Sequence, residues 1–87
     1  MLNQKVTIVN KLGLHARPAS NFVKMAQSFK SSVEIIKGEK RLNAKSMIGI
    51  LGAGAKCGTE IELSTNGEDE QEAMNQLVAF INSGLGE

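Results

Sequence analysis

The sequence predicts an α+β fold, a two-layer open-faced sandwich in which three helices cover one face of a four-stranded antiparallel sheet, in the order β-α-β-β-α-β-α. Three observations point there. Apolar and polar residues alternate around Val6 and Ile8, the period becomes helical from Ala16, and a second helical stripe closes the chain at Met74, Leu77, Val78 and Ile81. Amphipathic helices need an apolar sheet face to cover, and placing them together on one side of an antiparallel sheet is the economical solution.

In the first element Val6 and Ile8 face one way and Lys5, Thr7 and Val9 the other, as in a strand with one buried face. Asn10-Lys11-Leu12-Gly13-Leu14 breaks the alternation and leads into His15. Ala19, Phe22, Val23 and Ala26 then fall at i, i+3, i+4 and i+7, one apolar stripe of a helix that Ser31-Ser32 brings to an end. Val33 and Ile35 open a second strand, Lys37-Gly38-Glu39 turns the chain, and Lys40 to Asn43 forms a short third strand. Ser46 precedes Met47-Ile48-Gly49-Ile50-Leu51, an apolar stretch suited to one or two helical turns, and Gly52 to Gly58 reads as a loop. Ile61 and Leu63 alternate with Glu60, Glu62 and Ser64 in a fourth strand closed by Asn66-Gly67. Asp69 and Glu72 have the spacing of a capping pair for the last helix, which Ser83-Gly84 ends.

Eighty-seven residues suit one domain spanning residues 1–87, with no room for a second core. Three Phe and no Trp or Tyr leave the core to Val, Ile, Leu, Met and Ala, so a deep enclosed cavity is not expected. Chemistry would then take place at the surface, against another macromolecule. A formal charge of +1 lacks the basic excess of a nucleic-acid binder. An RNA-binding ferredoxin-like domain would need aromatics on its strands, and these strands have none. The glycines from Gly52 to Gly58 match neither phosphate-loop spacing and lead into a strand instead of a helix. No metal-ligand cluster or cofactor motif is present in the sequence. Cys57 is the single cysteine; it fits a reducing compartment and is expected to be a small, half-buried side chain. No apolar run approaches the ~20 residues that span a bilayer, and the N-terminus does not read as a signal peptide, so a soluble cytoplasmic monomer is expected.

The segment Gly13-Leu14-His15-Ala16-Arg17-Pro18-Ala19-Ser20 holds the only His and the only Pro of the chain and one of its two Arg. Pro18 fits the first turn of a helix, where N–H groups have no intrahelical acceptor. With His15 at the N-cap, the N–H groups of Ala16 and Arg17 point out of the helix end. Unpaired donors and the helix dipole favour an anion there, and the Arg17 guanidinium matches phosphate oxygens. A phosphoryl group carried on the imidazole would be stabilised by both. On spacing alone, a plain polar N-cap beside a solvated arginine is an equally good reading.

Gly-Leu-His-Ala-Arg-Pro-Ala resembles the active-site signature of the HPr family of the bacterial sugar phosphotransferase system. Asn43-Ala44-Lys45-Ser46-Met47-Ile48-Gly49 resembles the family's second signature, and Gly67 to Ala73 fits the start of its last helix. The resemblance implies the fold given above. It also implies that enzyme I, phosphorylated from phosphoenolpyruvate, charges Nδ1 of His15, and that enzyme IIA domains receive the group, with Arg17 and the Ala16 N–H stabilising it. The matching positions of Ser20, Met47, Ile48 and Leu51 form the family's partner-binding face, and Lys24 and Lys45 are candidates for steering acidic partners. Ser46 matches a serine that a kinase/phosphorylase modifies in Gram-positive relatives, giving a corepressor of a catabolite-control transcription factor. A regulatory or nitrogen-branch role, exercised by protein binding instead of sugar transport, is the alternative that stays open.

Overall fold

Val33 and Ile35 lie two residues apart in one strand and Ile61 and Leu63 in another, and strand pairing brings them, with Val6, onto one face of one sheet. The computed structural model describes residues 1–11 and 13–86; the Leu12 position in the predicted break lies outside them. Its elements are β1 (Leu2–Thr7), α1 (Ala16–Gln27), β2 (Ser32–Lys37), β3 (Lys40–Asn43), α2 (Met47–Gly52), β4 (Glu60–Asn66) and α3 (Glu70–Asn82). The sheet order is β1-β4-β2-β3, with antiparallel pairing throughout. β4 therefore fills the gap between β1 and β2, two strands that the chain has already passed before β3 and α2. Registers pair Val6 with Ile61, Ile35 with both Leu63 and Leu42, and Val33 with Thr65.

The helices supply the other layer. Ala19, Phe22, Val23 and Ala26 of α1 are buried, as are Met74, Leu77 and Ile81 of α3, while Val78 is half-buried. Burying the larger of these, Phe22, Val23, Met74, Leu77 and Ile81, contributes about 1.5–3 kcal/mol each. Two core members were not evident from periodicity. Thr65 is fully buried because its hydroxyl donates to the carbonyl of Glu70 at 3.0 Å, and Leu85, beyond α3, is fully buried with its carbonyl accepting from Asn21 Nδ2 at 3.2 Å. Ser64, grouped with the exposed glutamates by alternation, is buried on the outer face beneath Asn3, whose Oδ1 accepts its hydroxyl at 3.0 Å.

Asp69 occupies the N-cap position of α3, but the expected capping pair with Glu72 does not form: its side chain makes no cap hydrogen bond. Its carboxylate instead accepts the N–H of Lys30 at 2.9 Å, the N–H of Ser31 at 2.8 Å and the Ser31 hydroxyl. Glu72 pairs with Gln76 one turn on, and the Gly67 N–H is taken by Glu70 at 3.1 Å. Asp69 thus ties the start of α3 to the segment joining α1 and β2. The Ser31 hydroxyl first, and then the Lys30 N–H, lower its pKa from 3.8 to about 2.

Because the folded-state pKa is depressed, the ionised tie adds stability that is complete above the unfolded value and lost as pH falls through the folded one. Urea unfolding is expected to show stability dropping as pH falls from 3.8 towards about 2. Asp69→Asn should be less stable at neutral pH and give a flatter profile across that window; parallel profiles would show that the tie contributes nothing.

Candidate functional site

The chain leaves β1 and turns at Gly13 before α1 begins. Gly13 has φ +64°, and a Cβ there would stand 2.5 Å from the carbonyl oxygen of Ala55, so both conformation and space demand glycine. The backbone N–H of Leu14 donates to that same Ala55 oxygen at 2.8 Å, fastening the start of α1 to the segment that follows α2. On the other side of the turn, the Gly13 N–H donates to the Asn10 carbonyl at 3.0 Å, and the Asn10 side-chain amide donates back to the Gly13 carbonyl at 2.7 Å. His15 comes next, its N–H donating to the Gly13 carbonyl at 2.9 Å.

His15 is the N-cap residue of α1, in extended conformation, and its carbonyl accepts the Ala19 N–H at 2.8 Å. Its side chain makes no capping hydrogen bond. A serine or aspartate N-cap would turn its oxygen back to the helix; this imidazole does not. His15, Ala16 and Arg17 are exposed, while Pro18 and Ala19 are buried beneath them. Among the described residues, no hydrogen bond or ion pair engages the Arg17 guanidinium. The first turn carries no acidic residue, so nothing there competes with an incoming anion.

Ser20, half-buried, lies one turn further along α1. Ser46 is the N-cap of α2 and is half-buried; its hydroxyl accepts the Gly49 N–H at 3.4 Å. Gly49 lies so close to β3 that a Cβ would stand 2.3 Å from the Asn43 carbonyl oxygen. That contact presses one side of α2 down and turns the other outward. Ile50 is fully buried and Met47 packs against the core, whereas Ile48 is 85% exposed and Leu51 44%.

The two helices run in opposite directions along their contact. Gln27, at the end of α1, donates to the Lys45 carbonyl just before α2, at 3.0 Å, and Leu14, before α1, reaches Ala55 just after α2. His15 therefore lies towards the far end of α2 from Ser46, separated by about 9 Å of helix, with Ile48 and Leu51 exposed on that helix. Lys45 is not a free steering charge: its ammonium donates to the Phe29 carbonyl at 2.7 Å. Lys24 stays exposed. Lys37 similarly donates to the Ala53 carbonyl at 3.0 Å, steadying the end of α2. Sequence reading missed this support because Ala55 and Ala53 act through main-chain oxygens, which no residue type announces. Cys57 is exposed, not half-buried, with its thiol 3.7 Å from the Val9 carbonyl.

The model of the family described as "PTS HPr component phosphorylation site" matches residues 2–83. This chain belongs to the HPr family. The phosphocarrier protein HPr of Neisseria meningitidis is 48% identical over 87 residues, covering 100% of this chain and 98% of that protein. The HPr-like protein Crh of Bacillus subtilis is 46% identical over 81 residues, covering 93% and 95%. Among solved structures, an HPr from Thermoanaerobacter tengcongensis superposes with a TM-score of 0.96 at 45% identity, covering 100% of this chain and 98% of that one; an HPr dimer from that organism gives 0.80. The HPr fold, a four-stranded antiparallel open sheet with three helices, is thus the one that the sequence pattern predicts. No helix among the described residues is long and apolar enough to cross a membrane.

Gly13→Ala is expected to lower the unfolding free energy by about 1–3 kcal/mol for the left-handed conformation alone, with more from the clash at Ala55. Urea denaturation measures it, and an unchanged midpoint would mean that the turn relaxes freely.

Proposed function

We propose that His15 is the phosphoryl acceptor and donor of this HPr-family phosphocarrier. The observation that carries the reading is an exposed imidazole at the N-cap of α1 that makes no cap bond, followed by the first-turn N–H groups of Ala16 and Arg17, with Arg17 itself exposed. The first N–H groups of a helix have no intrahelical acceptor, so Ala16 and Arg17 offer donors to phosphoryl oxygens. In the transfer, Nδ1 of His15 forms a bond to phosphorus as the donor's bond to phosphorus breaks; the reverse exchange at a second partner regenerates the free ring. Neither step needs a cofactor.

The donor in this reading is enzyme I and the acceptors are enzyme IIA domains. They dock on Ser20, Met47, Ile48 and Leu51 with the protein as a cytoplasmic monomer. Exposure of Ile48 and Leu51 on the helix beside the His15 loop supports that face. Ser46, half-buried at the N-cap of α2, is the regulatory position. A phosphate there would add about −1.5 to −2 charges at the edge of an apolar docking surface, without touching His15. The kinase/phosphorylase and the catabolite-control transcription factor are the partners of that branch, and the likeness to Crh favours keeping it as a second reading.

Incubation with enzyme I and labelled phosphoenolpyruvate is expected to give acid-labile label that His15→Ala abolishes; an unlabelled wild type would defeat the carrier reading. Ser46→Asp is expected to slow charging by about tenfold, the equivalent of about 1.4 kcal/mol. Equal charging rates would remove the proposed brake while leaving the carrier intact.

A further inference from the structure

We infer that Asn10 is a positioning residue for phosphoryl transfer, holding the main chain that presents the His15 ring; the inference rests on His15 being the acceptor. Asn10 lies in the connection from β1 to α1 and is only 6% exposed, unusual for an asparagine in a loop. Its Nδ2 donates to the Gly13 carbonyl at 2.7 Å, and its own carbonyl accepts the Gly13 N–H at 3.0 Å. The Gly13 carbonyl also accepts the N–H of His15 at 2.9 Å. One oxygen is therefore gripped from behind by a buried side chain and from in front by the backbone of the reacting residue. Asn10 is connected to His15 through a single atom.

The other restraints on the turn come from the opposite side. The Ala55 carbonyl accepts the Leu14 N–H, and the backbone of Ala55 and Lys56 leaves no room for a Cβ on Gly13. The Leu14 N–H and the Gly13 carbonyl belong to one planar peptide, so Ala55 holds its N–H end. The Asn10 amide holds the oxygen end of the same peptide, and the two bonds on its opposite edges together set its rotation. Rotation of this peptide would swing the following residues, and with them the imidazole relative to the donors of Ala16 and Arg17. Its Oδ1 has no hydrogen-bond partner among the described residues, so a buried acceptor is left unmatched. An apolar side chain would avoid that cost, yet only a donor can hold the Gly13 oxygen. The cost is consistent with a side chain kept for geometry.

Asn10→Ala removes the donor, and Asn10→Asp keeps the shape while facing the Gly13 oxygen with a carboxylate. Both are compared with wild type in steady-state charging by phosphorylated enzyme I and in an NMR titration of the His15 ring. The maximal rate is expected to fall at least about tenfold, since small misplacements of reacting groups cost this much or more. KM should stay within about twofold, because Ile48 and Leu51 are untouched, and the His15 titration midpoint should move in both variants. Wild-type maximal rate and titration in either folded variant would overturn the inference. So would equal loss of rate and of overall thermal stability with the His15 resonances unchanged in the folded fraction. If Asn10→Ala does not fold, the same readouts on the isosteric Asn10→Asp decide. Failure of the wild type to take label counts against the acceptor reading instead, which separates the two ideas.

Discussion

The hydrogen bond from the Leu14 N–H to the Ala55 carbonyl, at 2.8 Å, joins the entry to α1 with the exit from α2. Everything at the exposed face follows from that junction. It places the His15 end of α1 beside the Leu51 end of α2, and the contact between Gln27 and Lys45 closes the other end of the pair. A helix of six residues would not hold its shape in isolation. Here α2 is held at its start by Ser46 and at its end by Lys37, while Gly49 allows it to rest against the Asn43 carbonyl. A short helix fixed at three points can leave Ile48 and Leu51 in solvent, because its stability does not depend on burying them.

Most of the architecture was legible because it rests on periodicity. The alternation at Val6 and Ile8 and the stripe of Ala19, Phe22, Val23 and Ala26 fall on the buried side as expected, and β3 occupies Lys40–Asn43 as the turn at Gly38 implied. What was not legible depends on partners distant in sequence. Asp69 has the spacing of a capping residue, but the two N–H groups and the hydroxyl offered by Lys30 and Ser31 outnumber what its own helix end provides. Thr65 looks polar until the Glu70 carbonyl is placed over its hydroxyl, and Lys45 looks solvated until the Phe29 carbonyl is brought beside it. Leu85 sits past the end of the helical stripe, in a left-handed conformation that no periodic pattern anticipates.

The candidate site was legible in a different way. His15, Arg17 and Pro18 are informative as residue types, because each has a distinct reason to stand at a helix start. Spacing alone left a plain cap as an equal reading, and in the structure the imidazole makes no cap hydrogen bond. The support behind His15 carried little signal, since it is made of carbonyl oxygens and one buried amide. Lysines show the same limit: Lys24, Lys37 and Lys45 are alike in sequence, yet two of them are helix-end clamps and one is exposed.

Main-chain support has an evolutionary consequence for the segment after α2. Ala53 and Ala55 must stay small because they are buried, and Gly54 and Gly58 occupy positive φ. Lys56 and Cys57, by contrast, are exposed, and of the two side chains only the Cys57 thiol makes a hydrogen bond, the weak one to the Val9 carbonyl. A change of side chain at Lys56 would leave the Ala55 oxygen, and the Leu14 N–H it accepts, where they are. In a segment pressed against the His15 loop, tolerance to substitution is therefore set position by position, by which residues are buried or hold positive φ.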